Sequence, residues 1–221
     1  MPDFKIAILP VTPFEQNCSL LWEEDSKRAM VVDPGGDADQ IMANIDSLGL
    51  KVEMLLITHG HLDHAGGAKG LKAMLQARDG APVPILGPDI RDKFLMDEIA
   101  VSAAKFQMQG MENCTPDRWL AEGETVDLGM FHFDIYHCPG HSPGSLVYVE
   151  KTLRFAFVGD VLFCRSVGRT DFPYGDHDAL ISSIRRKLLP LGDDIGFVCG
   201  HGPASSFGEE RKSNPFIQFG G

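Results

Sequence analysis

The stretch "THGHLDH", residues 58–64, sets His59, His61, Asp63 and His64 within six positions, directly after the apolar run "VEMLLI". A short apolar run bounded by polar residues predicts a buried strand. Three of the chain's eight histidines in the loop that follows it predict metal ligation, because imidazole and carboxylate form the ligand set for zinc, manganese or iron. In extended backbone His59 and His61 project to the same side. Asp63 and His64 follow the turn into the next helix and reach a different point, so one segment can serve two neighbouring metal positions.

Three further segments repeat the device of a histidine or aspartate placed after an apolar strand, beside glycine or proline. They are "HCPGHSPGS" with His141, "FVGDVLF" with Asp160, and "FVCGHGP" with His201. Loops at strand ends are where a rigid scaffold holds functional side chains. His132, His137 and His177 lie outside these segments and are expected to be structural or surface residues.

The rest of the chain alternates strands and helices. "FKIAIL", "CSLLWEE" and "AMVVD" read as strands, then "DPGGD" turns. Asp37 is the expected N-cap of a helix with Ile41, Ile45 and Leu48 on one face and Gly49 as its stop. "GAKGLKAMLQARDG" reads as a helix, and so does the segment from Pro88 to Gly110. The second half gives strands at "ETVDLG", "FHFDIYH", "SLVYVE" and "LRFAFVG". An amphipathic helix "HDALISSIRRKLLPLG" follows with Asp176 as its N-cap, then a strand "GFVCG" and a short helix around "GEERKS". Strands grouped with helices in both halves suggest two packed sheets covered by helices, but periodicity by itself supports the α/β class only.

Composition narrows the function class. A net charge of −11 and a pI near 5.1 disfavour nucleic acid and anionic membrane surfaces as partners. No basic leader with an apolar core opens the chain, and no apolar stretch approaches the roughly 20 residues that span a bilayer. The five cysteines form no CxxC pair, which fits reduced thiols and a cytoplasmic location. Cys138 and Cys199, next to motif histidines, are expected to pack beside the site.

Taken in order, "THGHLDH", "PGHSPGS", "GD" before "VLF", and "CGHGP" resemble the metallo-β-lactamase superfamily over nearly the whole chain. Within it, "NCSLLWEE", "VVDPGGD", "VGRTDFPYGDH" and "ERKSNPF" look like the glyoxalase II group, in particular its compact bacterial branch of hydroxyacylglutathione hydrolase-like proteins. The resemblance implies a four-layer αβ/βα sandwich, a single domain over 1–221, with the site at one edge between the sheets. By the same resemblance His59, His61 and His141 would hold one metal. Asp63, His64 and His201 would hold the second, and Asp160 would bridge both. Asp63 and Asp160 would be the catalytic carboxylates, and Asp33 of "DPGG" would orient a ligand loop or simply start its turn. Two divalent cations, zinc first and iron or manganese as alternatives, would share and acidify one water for attack on a thioester such as S-lactoylglutathione.

Arg169 stands where glyoxalase II enzymes carry a glutathione-contacting lysine, so it is expected to meet a substrate carboxylate unless Asp171 or Asp176 claims it. The family's glutathione-binding tyrosine is here Asp171, and the helical C-terminal extension is replaced by "IQFGG". Glutathione recognition is therefore expected to be weaker or built differently, with Arg165, Arg211 or Lys212 as substitutes. "GRTDF" also resembles persulfide dioxygenases, in which His59, His141 and Asp160 would hold one iron. A lactonase or other ester hydrolase, and a metal that merely staples the fold, are the remaining alternatives.

Overall fold

The computed structural model describes residues 3–218. In the first half, strands β1 (Phe4–Val11), β2 (Gln16–Glu23) and β3 (Arg28–Val32) precede helix α1 (Ala38–Leu48). Strand β4 (Lys51–Leu56), the short helix α2 (Leu62–Ala65), helix α3 (Ala68–Asp79) and strand β5 (Ile85–Leu86) follow, then helices α4 (Lys93–Asp97) and α5 (Ile99–Lys105). In the second half come β6 (Thr125–Leu128), β7 (Phe131–His137), β8 (Leu146–Glu150), β9 (Phe155–Gly159) and the small hairpin β10 (Leu162–Phe163) and β11 (Ser166–Val167). Helix α6 (His177–Ser183), β12 (Gly196–Cys199), β13 (Ser205–Ser206), α7 (Phe207–Ser213) and α8 (Pro215–Gln218) complete it.

The first sheet runs β1-β2-β3-β4-β5 and the second β13-β12-β9-β8-β7-β6. Both mix antiparallel pairs with parallel ones, β3–β4–β5 in the first and β9–β12 in the second. Strand alternation shows how they stack. Leu20, Ala29 and Val31 pack into one core with Ile41, Ile45, Leu71 and Leu75 of the helices, while Leu21, Met30 and Val32 point the other way. In the second sheet Val147, Val149, Ala156 and Val158 pack with Leu180 and Ile184, and Leu146, Tyr148, Phe155 and Phe157 face the first sheet. Side chains alternate along a strand, so three separate cores require four layers, helices–sheet–sheet–helices. Strands buried on both faces read as continuous apolar runs, which is why they were visible as such.

Several local expectations need correction. Leu48 is exposed, and α1 buries Ile41, Met42 and Ile45 instead. Asp37 precedes α1 but does not cap it: its backbone is left-handed (φ 48°), and its carboxylate accepts from the Thr12 N–H at 2.7 Å. The segment after Pro88 is not one helix but a 3-10 turn followed by α4 and α5, broken at Glu98. Helix α6 widens into a π turn over Ile184–Leu188. Gly49 and Asp176 behave as expected. The former has φ 66° after the last turn of α1, and the latter accepts from the Ala179 N–H at 2.9 Å. No helix among the described residues is long and apolar enough to cross a membrane.

Candidate metal centre

The four histidine and aspartate segments converge at one end of the two sheets. His59 and His61 follow β4, and His61 precedes the first turn of α2, which carries Asp63 and His64. His141 lies in the loop between β7 and β8, Asp160 directly follows β9, and His201 follows β12. A bridge from Gln16 of β2 to His201 ties the two sheets together at this end.

Two lobes result. In one, His59 Nε2, His61 Nδ1 and His141 Nε2 lie 2.9–3.2 Å from one another. In the other, Asp63 Oδ2 is 3.3 Å from His201 Nε2 and 4.0 Å from His64 Nε2. Asp160 stands between them, with Oδ1 3.3 Å from His64 Nε2, and Oδ2 3.5 Å from His141 Nε2 and 3.7 Å from His201 Nε2. Gly200 makes this approach possible, because a Cβ there would overlap Asp160 Oδ1 and crowd His64.

The outward ring nitrogens are anchored, and this turns the other nitrogens inward. His141 Nδ1 is 2.9 Å from the Arg169 carbonyl, and His201 Nδ1 is 3.1 Å from the Phe14 carbonyl. A carbonyl only accepts, so both Nδ1 atoms carry the proton. His64 Nδ1 is 2.8 Å from Asp33 Oδ2. The Thr58 hydroxyl gives its one proton to the same carboxylate at 2.6 Å, so its oxygen must accept from His59 Nδ1 at 3.1 Å. His61 Nε2 meets the Tyr174 hydroxyl at 2.8 Å. Anchoring one imidazole nitrogen so that the other presents its lone pair is how metal-binding histidines are oriented.

Among the described residues, three sets bring ligand atoms within 4.8 Å of one another: His59, His61 and His141; Asp63, His64 and His201; and Asp33, His59 and His64. Asp33 already accepts from His64, the Thr58 hydroxyl and the Thr58 N–H at 2.7 Å, which makes it the anchor of that corner. The first two sets fit cations. His59 Nε2 and His141 Nε2 present lone pairs 3.2 Å apart with no proton to share, and His64 Nε2 and Asp160 Oδ1 are buried without a hydrogen-bond partner. Such atoms are costly unless something fills the gap between them.

Electrostatics separate the lobes. Burial pushes His59 and His141 below the ordinary value of 6.5, and brings His61 down to about 3. His64 and His201 are also buried, but facing carboxylates outweigh that and raise them. Burial would lift Asp160, yet the His64, His141 and His201 rings more than offset it and hold the carboxylate ionised. In metal-free protein the first three rings stay neutral where the unfolded chain protonates them, so stability falls as pH drops below about 6.5. The slope approaches about 1.4 kcal/mol per pH unit for each ring. His64 and His201 act oppositely: their contribution is fully present below 6.5 and is lost as pH rises through their raised values. Chelator-treated protein is therefore most stable near pH 6.5. Urea denaturation between pH 5 and 8 checks this, and stability that keeps growing towards acid would contradict it.

The sequence assigned no role to two positioning residues. Asp92, fully buried, accepts from Gly60 N–H at 2.8 Å, Ser142 Oγ at 2.7 Å and Gly144 N–H at 2.5 Å, clamping the His59–His61 loop to the His141 loop. Asn17 donates to the Cys199 and Gly202 carbonyls and fixes the His201 loop. Asp92→Ala strands two buried N–H groups at about 1–3 kcal/mol each. A loss of about 3 kcal/mol in the unfolding free energy of metal-free protein is expected, and an unchanged denaturation midpoint would refute the clamp.

The remaining candidates fall as follows. Arg169 lies at the mouth of the site, exposed, with two N–H bonds of 3.0 Å to Asp171 and its guanidinium 4.9 Å over the Phe172 ring. His132 pairs with Asp127, and His177 lies near Phe216. His137 is structural, as expected: Nε2 holds the Pro143 carbonyl in the His141 loop at 2.7 Å. Cys138 and Cys199 are buried beside the site as expected, and burial pushes both thiols up to about 12.

Comparison with known proteins agrees with this architecture. The model of the metallo-beta-lactamase superfamily matches residues 11–201. Hydroxyacylglutathione hydrolase GloC of Haemophilus influenzae is 47% identical over 213 residues, covering 96% of this chain and 97% of that protein. Among solved structures, the BLEG-1 B3 metallo-beta-lactamase superposes with a TM-score of 0.86 at 31% identity, covering 97% of this chain and all of that one. TTHA1623 in a di-iron-bound form gives 0.80, also at 31% identity, covering 95% and 99%. A four-layer sandwich, a two-lobed histidine–aspartate cluster at its edge and these similarities agree: the chain belongs to the metallo-beta-lactamase superfamily.

Proposed function

We propose that the protein is a binuclear metallohydrolase that cleaves thioesters of the 2-hydroxyacyl-glutathione type, as the name of its Haemophilus relative says of that enzyme. The observation that carries this reading is Asp160, an ionised carboxylate facing both lobes. His59, His61 and His141 would hold one cation, and Asp63, His64 and His201 the other, with Asp160 shared. Zinc suits these nitrogen and oxygen donors, and iron or manganese also fits. When bound, two such ions supply a Lewis acid for the carbonyl and acidify water.

The chain's own residues do the rest. Burial works against ionisation of Asp63, but the His201 and His64 rings together more than offset it, so its carboxylate stays ionised, the form that can hold a cation or receive the proton of attacking water. Tyr174, pushed up to about 12 by burial, keeps its proton and orients His61. A departing thiolate, with a thiol pKa near 8.5, needs no strong general acid. Arg169 is the candidate for a substrate carboxylate, provided Asp171 releases it. The five free thiols suit a reducing cytoplasm, and residues 1–221 act as one catalytic domain.

Elemental analysis of freshly purified protein, paired with S-lactoylglutathione and glutathione-persulfide assays, tests the reading. Two metals per chain with thioester hydrolysis are expected. One iron with oxygen consumption would overturn it in favour of a persulfide dioxygenase, and lactone hydrolysis without thioesterase activity in favour of a lactonase.

A further inference from the structure

A cavity of about 500 Å³ opens directly onto His61, Asp63 and Asp160. Away from these ligand candidates its walls are mostly apolar, with Glu98, Ser102 and Arg169 as the polar exceptions. Leu95, Ile99 and Phe106 come from the α4–α5 segment on one side, and Phe172 and Tyr174, stacked with centroids 5.4 Å apart, stand on the other. At the mouth Phe14 packs edge-on against Phe106 at 5.3 Å, and the two rings are 38% and 57% exposed. Aromatic surface held open to water around a pocket marks a site for an apolar ligand.

Charge points the same way. Arg169 is the one Lys or Arg among the described lining residues, and Asp171 already holds its guanidinium through two bonds. Glu98 adds a negative charge to the opposite wall. Arg165, Arg211 and Lys212 do not line the cavity, and Arg211 pairs with Asp193. Glutathione brings two carboxylates, for which this wall has no unshared cation. Binding free energy here must come from removing apolar surface from water.

We infer that the cleft is an acyl-chain subsite: the enzyme selects thioesters by an apolar acyl group held between the α4–α5 wall and the Phe172–Tyr174 stack, and reads the thiol half weakly. This rests on the thioester hydrolysis proposed above and extends its substrates beyond 2-hydroxyacyl-glutathione to thioesters of longer apolar acyl groups.

The test uses the metal-loaded full chain with acetyl, butanoyl and hexanoyl thioesters in two series, one on glutathione and one on N-acetylcysteamine, which lacks carboxylates. Each buried methylene is worth about fourfold. We expect kcat/KM to rise at least about tenfold from acetyl to hexanoyl, in parallel in both series, and Phe106→Ala to flatten that rise. Non-hydrolysable S-alkyl thioethers of N-acetylcysteamine should bind metal-free protein with Kd falling as the chain lengthens, measured by calorimetry. A flat chain-length profile with S-lactoylglutathione preferred overturns the acyl subsite and leaves thioester hydrolysis standing. Failure to hydrolyse any thioester sinks the proposed activity, and thioether binding with no chain-length dependence then sinks the subsite as well.

Discussion

Asp160→Asn lowers the turnover of S-lactoylglutathione by about a thousandfold and leaves the fold intact. The two halves of this expectation have separate causes. Asp160 Oδ1 lacks a hydrogen-bond partner and Oδ2 contacts only ring nitrogens, so the side chain ties no backbone segment in place. Replacing it by an amide of equal size keeps the packing but takes a carboxylate away from the His64 and His201 rings, which it helps to raise. Circular dichroism of metal-free protein should match the wild type, while its melting temperature should fall at about pH 6 and recover towards the wild type as pH rises through the raised values of these two rings. Activity is another matter. The amide has one oxygen where the carboxylate has two, and its N–H₂ group faces the lone pair of His64 or His141. It cannot serve both lobes, and it cannot hold a cation on the side its nitrogen occupies. Metal content should drop from two ions towards one alongside turnover. A variant that keeps a tenth of wild-type turnover with two bound ions would show that Asp160 is a bystander.

The contrast between Asp160 and Asp92 shows what the sequence made legible. Asp160 is readable because it follows an apolar run and is flanked by glycine, the same local pattern that exposes His59, His141 and His201. Asp92 holds two of those loops together, yet it lies 32 positions from Gly60 and 52 from Gly144, inside a segment whose mixed pattern suggested only helix. Its role comes from where the chain returns in space, and no local spacing records that. Tyr174 and Asn17 lie in stretches that the family resemblance picks out, yet their roles are hidden for the same reason, with partners 113 and 182 positions away. The sheets were visible because strands with both faces covered read as apolar runs. Their stacking into four layers came from the family resemblance, since periodicity cannot say which core a buried face joins. Asp37 and Leu48 mark the opposite error: capping and amphipathic rules placed them in a helix's own economy, while tertiary contacts assigned one to Thr12 and left the other at the surface. Arg169 and Asp171 show a third limit, since two opposite charges two residues apart could be a ligand site or a closed pair, and here they pair.

Asp33 gives the second large effect, and comparing its alanine and asparagine variants separates folding from metal binding. The carboxylate is buried and accepts from the Thr58 N–H at 2.7 Å, the Thr58 hydroxyl at 2.6 Å and His64 Nδ1 at 2.8 Å. Alanine leaves the Thr58 N–H and the His64 ring without partners. It also keeps a left-handed backbone (φ 52°) that aspartate and asparagine tolerate better than alanine. A loss of about 3 kcal/mol or more is expected, seen as a melting temperature lower by about 10 °C. Asparagine retains the left-handed backbone and one oxygen for the Thr58 N–H, and the Thr58 hydroxyl can rotate to accept from its amide, so most of the stability should survive. Its N–H₂ group cannot accept from His64 Nδ1, however. The ring then favours the tautomer with its proton on Nε2, directed at Asp160 where a lone pair is needed. Zinc affinity of the Asp63, His64 and His201 lobe should fall about 10–100-fold, the usual cost of losing such an anchor, while the three-histidine lobe changes little. Competition with a chromophoric chelator measures both steps. Equal zinc affinities in wild type and Asp33→Asn would mean that His64 does not depend on this carboxylate for its orientation, and the second lobe would have to be assembled some other way.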